Sequence, residues 1–120
     1  MSYSSVADKS LDFSVRIVKL YHFLCEERKE FIMSKQLLRC GTSIGANIAE
    51  ALRGQTTADF ASKMNIALKE ASETEYWIKL LYRTEYLNEK QYGSLMQDIG
   101  ELLKMLTSIC RTAFSAADAQ

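Results

Sequence analysis

The sequence predicts an all-α protein, an antiparallel up-down-up-down four-helix bundle, on three observations. Proline is absent and there are only 5 glycines in 120 residues, so the residues that build tight turns and hairpins are missing. Apolar side chains recur at alternating spacings of three and four along nearly the whole chain, which lines them up on helix faces. Only short polar breaks separate these stretches, and short connections make consecutive helices antiparallel neighbours. A chain of this length holds one modest core, so a single domain over 1–120 is expected.

Met1 to Lys9 is small and polar and is expected as a loose arm. Ser10 is a fitting N-cap for a first helix over about 10–27, with the negative charge of Asp12 in its first turn. Phe13, Ile17, Leu20 and Leu24 form its seam, and Leu11, Val15, Val18 and Cys25 a second apolar line beside it. Glu26 to Glu30 is a charged break. The second helix, about 33–53, carries Leu37, Cys40, Ile44, Ile48 and Ala51, with Gly54 expected to end it in a left-handed conformation.

Thr56 or Thr57 caps the third helix, about 57–86, where Phe60, Met64, Ala67, Ala71, Thr74, Ile78 and Leu81 keep a heptad pattern. Asn88 with Gln91 reads as a capping box opening the fourth, about 89–114. That helix carries Tyr92, Leu95, Ile99, Leu102, Leu106, Ile109 and Ala113, with Met96, Leu103 and Cys110 as a second line, and a loose tail from Ser115. The first and fourth helices both hold apolar surface beyond one seam, so a homo-oligomer that covers it is expected.

The 15 basic and 15 acidic residues balance to a net charge of zero, unlike a domain whose business is clamping phosphate backbones. The 3 cysteines, Cys25, Cys40 and Cys110, form no CxxC pair, which fits reduced thiols and a cytoplasmic location. The stretch Met1 to Ser10 lacks the basic and apolar regions expected of a signal peptide, and no apolar run of about 18 residues exists to span a membrane.

The second helix carries the features that invite a functional reading. Gly41, Gly45 and Ala49 form a small-residue ridge, and each interior glycine costs about 1 kcal/mol relative to alanine. Close approach by a neighbouring helix would offset that cost. Arg39, Ser43, Asn47 and Glu50 form a polar stripe, while Glu70 and Glu73 sit among Ile66, Trp77 and Leu80 on the third helix. Carboxylates among apolar groups need partners, so Arg39 and Asn47 are expected to meet Glu70 or Glu73 and set helix pairing.

The same carboxylates could serve as acid and base, or hold a metal. Di-iron bundles, however, add Glu-x-x-His motifs, and His22 is the single histidine. His22 with Cys25 lacks further zinc ligands and is expected as a partly buried seam residue. No nucleophile has a base and orienting partner, and no phosphate-cradling loop is present. Neither cofactor nor metal is expected. Tyr76, Trp77, Tyr82 and Tyr86 lie near Lys79 and Arg83, a mixture that suits a protein interface or stacked nucleic-acid bases.

The run Gln36-Leu37-Leu38-Arg39-Cys40, with Thr42-Ser43-Ile44 and Ala46-Asn47-Ile48-Ala49-Glu50, resembles the bacterial intervening-sequence proteins of large-subunit ribosomal RNA. So does Phe60 followed by Ile66-Ala67 and Ser72-Glu73-Thr74-Glu75; the resemblance spans Val15 to Leu106. It implies short antiparallel bundles, several assembled as pentameric rings, and a related basic branch that binds a reverse transcriptase and nucleic acid. It places Arg39, Ser43, Asn47 and Glu50 at the family's polar positions and Glu73 at another. Gly45 stands where many members have proline, and Ala51 where many have glycine.

The expected function is a non-enzymatic, homo-oligomeric scaffold or adaptor, pentameric on the resemblance, with a possible protein partner. The alternative is a nucleic-acid-binding accessory protein using Arg16, Lys19, Lys79 and Arg83. A carboxylate enzyme or metal site is the third reading.

Overall fold

The four apolar seams meet in one core. The computed structural model describes residues 3–118, which form α1 (Ser4–Glu26), α2 (Met33–Ala51), α3 (Thr57–Arg83) and α4 (Glu89–Asp118) in antiparallel succession. The bundle measures 50 × 21 × 20 Å. α1 packs on α2, α2 on α3, α3 on α4 and α4 back on α1, leaving α1 and α3 at opposite corners. Ile17, Leu24, Leu37, Ile44, Ile48, Met64, Ile78, Leu81, Leu95, Ile99, Leu102 and Leu106 are fully buried.

α1 starts six residues before the expected cap at Ser10. Val6 is buried with the seam, and the Tyr3 ring lies 5.2 Å from that of Phe60. Tertiary packing, and no side-chain cap, therefore orders the segment expected as a loose arm. Ser10 is a buried seam residue whose hydroxyl donates to the Ala7 carbonyl at 2.9 Å. Met1 and Ser2 lie outside the described residues.

The charged break holds an unforeseen cap. Glu30, only 7% exposed, accepts the backbone N–H groups of Ile32, Met33 and Ser34 on its carboxylate, the last at 2.7 Å. Three of the donors that open α2 are thereby satisfied by one side chain. Lys29 turns the chain with φ 56, and the Ser34 hydroxyl donates back to the Glu30 carbonyl at 2.8 Å.

Gly54 does not adopt the left-handed conformation expected of it; no described glycine has positive φ. A Cβ there would lie 3.1 Å from the Ala51 carbonyl and 3.3 Å from the Phe60 N, so a side chain would crowd the backbone of the tight α2–α3 turn. Thr56 caps α3 by accepting the Asp59 N–H at 3.0 Å. α3 ends at Arg83, with Glu85 at φ 69 and the Tyr86 N–H closing on the Leu81 carbonyl at 2.9 Å. That is a Schellman closure built without glycine. Arg28 donates to the Tyr86 and Glu85 carbonyls at 2.8 and 3.0 Å, fastening the first loop to the third.

Asn88 and Gln91 exchange bonds of 2.9 and 2.8 Å, a capping box. In α4 the buried line runs through Cys110, with Ile109 only partly buried. Met96 and Leu103 pack against the core, so the second line of α4 fills the bundle and leaves little for a partner. The helix passes the expected end near 114 and reaches Asp118; residues 119–120 lie outside the described set.

The cap makes stability depend on acid. Burial alone would raise the Glu30 pKa, but the donated bonds from Ser34, Met33 and Ile32 outweigh it and hold the carboxyl below the usual 4.5. Its contribution is thus complete above that ordinary value and disappears as pH falls through the lowered folded-state pKa. Glu30→Ala is expected to cost about 1–2 kcal/mol at neutral pH and to flatten stability against pH in the acid range. Urea denaturation across that range checks both effects.

Candidate functional site

The feature that carries most of the unusual chemistry is the face shared by α2 and α3. Arg39 projects from α2 between two carboxylates of α3, with Nη1 3.3 Å from Glu70 Oε2 and Nη2 against Glu73 Oε2. Glu73 also accepts the Trp77 indole N–H at 3.0 Å. Helical spacing stacks Glu70, Glu73 and Trp77 on one side of α3, and a single guanidinium fork then serves both acids. The cluster is half-exposed: the Arg39 side chain is 51% accessible and that of Glu70 20%.

Asn47 does not join it. Its amide donates to the Ser43 carbonyl at 2.8 Å and to the Ser43 hydroxyl at 3.0 Å, within α2. Glu50 pairs with Lys63 across the same helix interface at 3.1 Å. Beneath them lies Cys40. Thr74 donates to the Glu70 carbonyl at 2.8 Å, and its oxygen approaches Cys40 Sγ to 3.2 Å. Burial pushes the Cys40 thiol up, which keeps it protonated and a poor nucleophile.

The small-residue ridge faces α1. A Cβ on Gly41 would stand 2.9 Å from both γ carbons of Ile17, and one on Gly45 3.3 Å from the Ser10 carbonyl oxygen. Ala49 is exposed, on the flank of a groove of about 600 Å³ where α1 and α2 splay apart. The ridge thus brings the helices close at its two glycines and not at Ala49.

The cations singled out for nucleic acid are scattered. Arg16 is bound to Asp98 at 2.6 Å and to the Ser94 hydroxyl at 2.8 Å, clasping α1 to α4 with the help of Lys9–Glu101 at 2.8 Å. Lys79 lies 3.7 Å from Glu75. Lys19 and Arg83 are exposed on different helices. Tyr82 stacks on Tyr92 at 4.1 Å, and Arg28 sits over the Tyr86 ring at 5.2 Å, so these rings serve the bundle. Tyr76 remains 58% exposed, edge-on to Trp77.

His22 is exposed rather than partly buried at a seam, 3.9 Å from Glu26, while Cys25 lies 3.8 Å from the Ser34 hydroxyl. Among the described residues no three His, Cys, Asp or Glu gather in a way that could hold a metal. Apart from these polar clusters, the outstanding surface is apolar: Leu11, Val15 and Val18 on α1 are 64%, 49% and 39% exposed. They were legible as a line at helical spacing.

A model of the family described as 23S rRNA-intervening sequence protein matches residues 3–108. A solved structure from Bacteroides thetaiotaomicron, a protein of unknown function from the S23 ribosomal protein family, is 61% identical, with a TM-score of 0.89. The match covers 90% of this chain and 96% of that one. No curated protein matches.

Two substitutions probe the α2 interfaces. Gly41→Ala raises helix propensity by about 1 kcal/mol but forces a methyl onto buried Ile17, and overpacking of about 1–3 kcal/mol is expected to win. In an Ile17→Ala background the same change should become neutral or stabilising, a sign reversal readable by denaturation. Arg39→Ala is expected to cost about 1 kcal/mol or less, because the pair is half in water, and to alter Trp77 fluorescence through Glu73.

Proposed function

The chain belongs to the 23S rRNA-intervening sequence protein family, and from that premise we propose that it is a non-enzymatic scaffold or adaptor that works as a homo-oligomer. The observation that carries the reading is the exposed line Leu11, Val15 and Val18 on α1. It continues into the groove between α1 and α2, lined by Gly45, Ala46, Ala49 and Leu52. Apolar area of this kind on a small soluble bundle marks a contact surface, and burying it against copies is the simplest way to remove it from water. The family resemblance makes a pentamer the favoured closure.

The polar groups support the same reading. Arg39 neutralises Glu70 and Glu73, Glu30 is spent on the α2 amides, and Arg16 is spent on Asp98. Each apparent reactive group is already used to hold helices together. A nucleic-acid accessory role would need Arg16, Lys19, Lys79 and Arg83 to act from one surface, and the bonds of Arg16 and Lys79 to acids oppose that. No described helix is long and apolar enough to cross a membrane, and a cytoplasmic location remains part of the proposal.

Light scattering at micromolar concentration is expected to give a mass several times 13.6 kDa. Val15→Asp together with Leu11→Asp should yield a folded monomer by circular dichroism, since neither side chain belongs to the core. A wild-type monomer at the highest concentration tested would overturn the oligomer. Affinity capture of the intact assembly, scored for protein and for nucleic acid, then reads the partner class directly.

A further inference from the structure

Three of the four seams of the bundle are closed by small residues. Gly41 and Gly45 let α2 approach α1, and α3 sets Ala67, Ala71 and Thr74 at core positions between α2 and α4. The fourth seam has large side chains on both sides, Val6 and Phe13 on α1 and Leu102, Met105 and Ile109 on α4. Large side chains hold helix axes apart, and α1 and α4 come close at far fewer points than any other adjoining pair. Two clefts remain along the seam. One of about 170 Å³ lies between Phe13 and Leu102, and one of about 350 Å³ lies between Tyr3 with Val6 and Met105 with Ile109.

Charge bridges this gap. Lys9 reaches Glu101 at 2.8 Å, and Arg16 reaches Asp98 at 2.6 Å and the Ser94 hydroxyl at 2.8 Å. Lys9, Asp98 and Glu101 rim the smaller cleft, so the pairs span space that the apolar side chains leave. These side chains are 35% to 47% exposed, and pairs so exposed are individually weak and screened by salt. Connectivity adds to the weakness, because a loop ties each of the other seams at one end while α1 and α4 lie at opposite ends of the chain. Arg28 fastens only the C-terminal end of α1, through the Glu85 and Tyr86 carbonyls just ahead of α4.

We infer that the bundle opens along α1–α4, the N-terminal half of α1 rocking outward on the α2 glycines while Arg28 holds its other end, with Lys9 and Arg16 as an ionic latch. Opening parts the Tyr3 and Phe60 rings and admits water between Phe13 and Leu102, both buried while the latch is shut. The α2–α3 and α3–α4 seams stay closed, since a partial opening follows the least packed boundary. The apolar surface that the chain shows then depends on ionic strength. This surface is the inner seam of α1, separate from the outer line Leu11, Val15 and Val18.

A thiol placed in the seam reads the opening. Leu102→Cys, in the full chain, is labelled with a neutral thiol reagent at low and at high sodium chloride. Peptide mapping then assigns the label to position 102 or to Cys40, which is buried beside Thr74 between α2 and α3. Position 102 is expected to label about tenfold faster than Cys40 or more. Adding Lys9→Gln with Arg16→Gln, or raising the salt, should quicken it a further threefold to tenfold or about that, with Cys40 unchanged. Circular dichroism checks the fold, and Val6→Cys, buried at the larger cleft, carries the same comparison if Leu102→Cys fails to fold. Labelling of position 102 at the rate of Cys40 would mean that only whole-molecule unfolding reaches the seam, and would overturn the opening. Faster labelling indifferent to salt and to both substitutions would remove Lys9 and Arg16 as the latch. Equal quickening of Cys40 would show general destabilisation in place of a local opening.

Discussion

Everything in this bundle is set by how closely α2 can approach α1. At Gly41 and Gly45 there is no room for a methyl group without moving Ile17 or the backbone of Ser10. Two interior glycines weaken a helix by about 2 kcal/mol together, and the contact they permit must offset that. It does so by letting the buried γ carbons of Ile17 reach the α2 backbone, where dispersion contacts are dense. It also fixes the rotation of α1. With Phe13, Ile17, Leu20 and Leu24 turned inward, Leu11, Val15 and Val18 have nowhere to go but outward.

The polar groups then divide between the seams and the loops. Between α2 and α3 an apolar seam sits under a rim in which Arg39 spans two acids and Lys63 meets Glu50. Between α1 and α4 the clasp is made by Lys9 and Arg16. These pairs are half in water and add little stability each. What they add is direction: a bundle of four similar amphipathic helices has several ways to pair, and misplaced charge penalises the wrong ones. At the ends, Glu30 and Arg28 fix the first loop by bonding to backbone groups.

Whatever depends on neighbours within a turn or two is legible in the sequence. The seams of α2 and α3, the Thr56 cap and the Asn88–Gln91 box are of that kind, since their partners are a fixed count away. The start of α1 is not, because Val6 in its first turns is buried in the core and Tyr3 just ahead of it packs on Phe60, far along the chain. Ser10 looks like a cap and is instead the small residue that faces Gly45. Glu30 looks like one more charge in a solvated run, yet a tight turn at Lys29 swings it under α2. Of the polar cluster, Arg39 with Glu70 and Glu73 could be placed by face and spacing alone. Asn47 could not, since its own Ser43 competed for the amide one turn away.

The outward line of α1 and the second line of α4 were alike on paper and came apart in three dimensions. Both have apolar residues beyond one seam, but α4 is flanked so that Met96, Leu103 and Cys110 still reach the core. α1 is held by the glycine contact on one side and by the Lys9 and Arg16 clasp on the other, which leaves its second seam unable to roll inward. A helix with two seams at different angles can satisfy only one bundle. The residue spacing that persists through Asp8, Leu11, Val15, Val18 and His22 therefore has no use inside this chain. The same close approach that makes the core therefore also leaves an apolar edge outside it. A substitution at Gly41 that let α1 rotate would be felt twice, in the packing of the core and in the exposure of that edge.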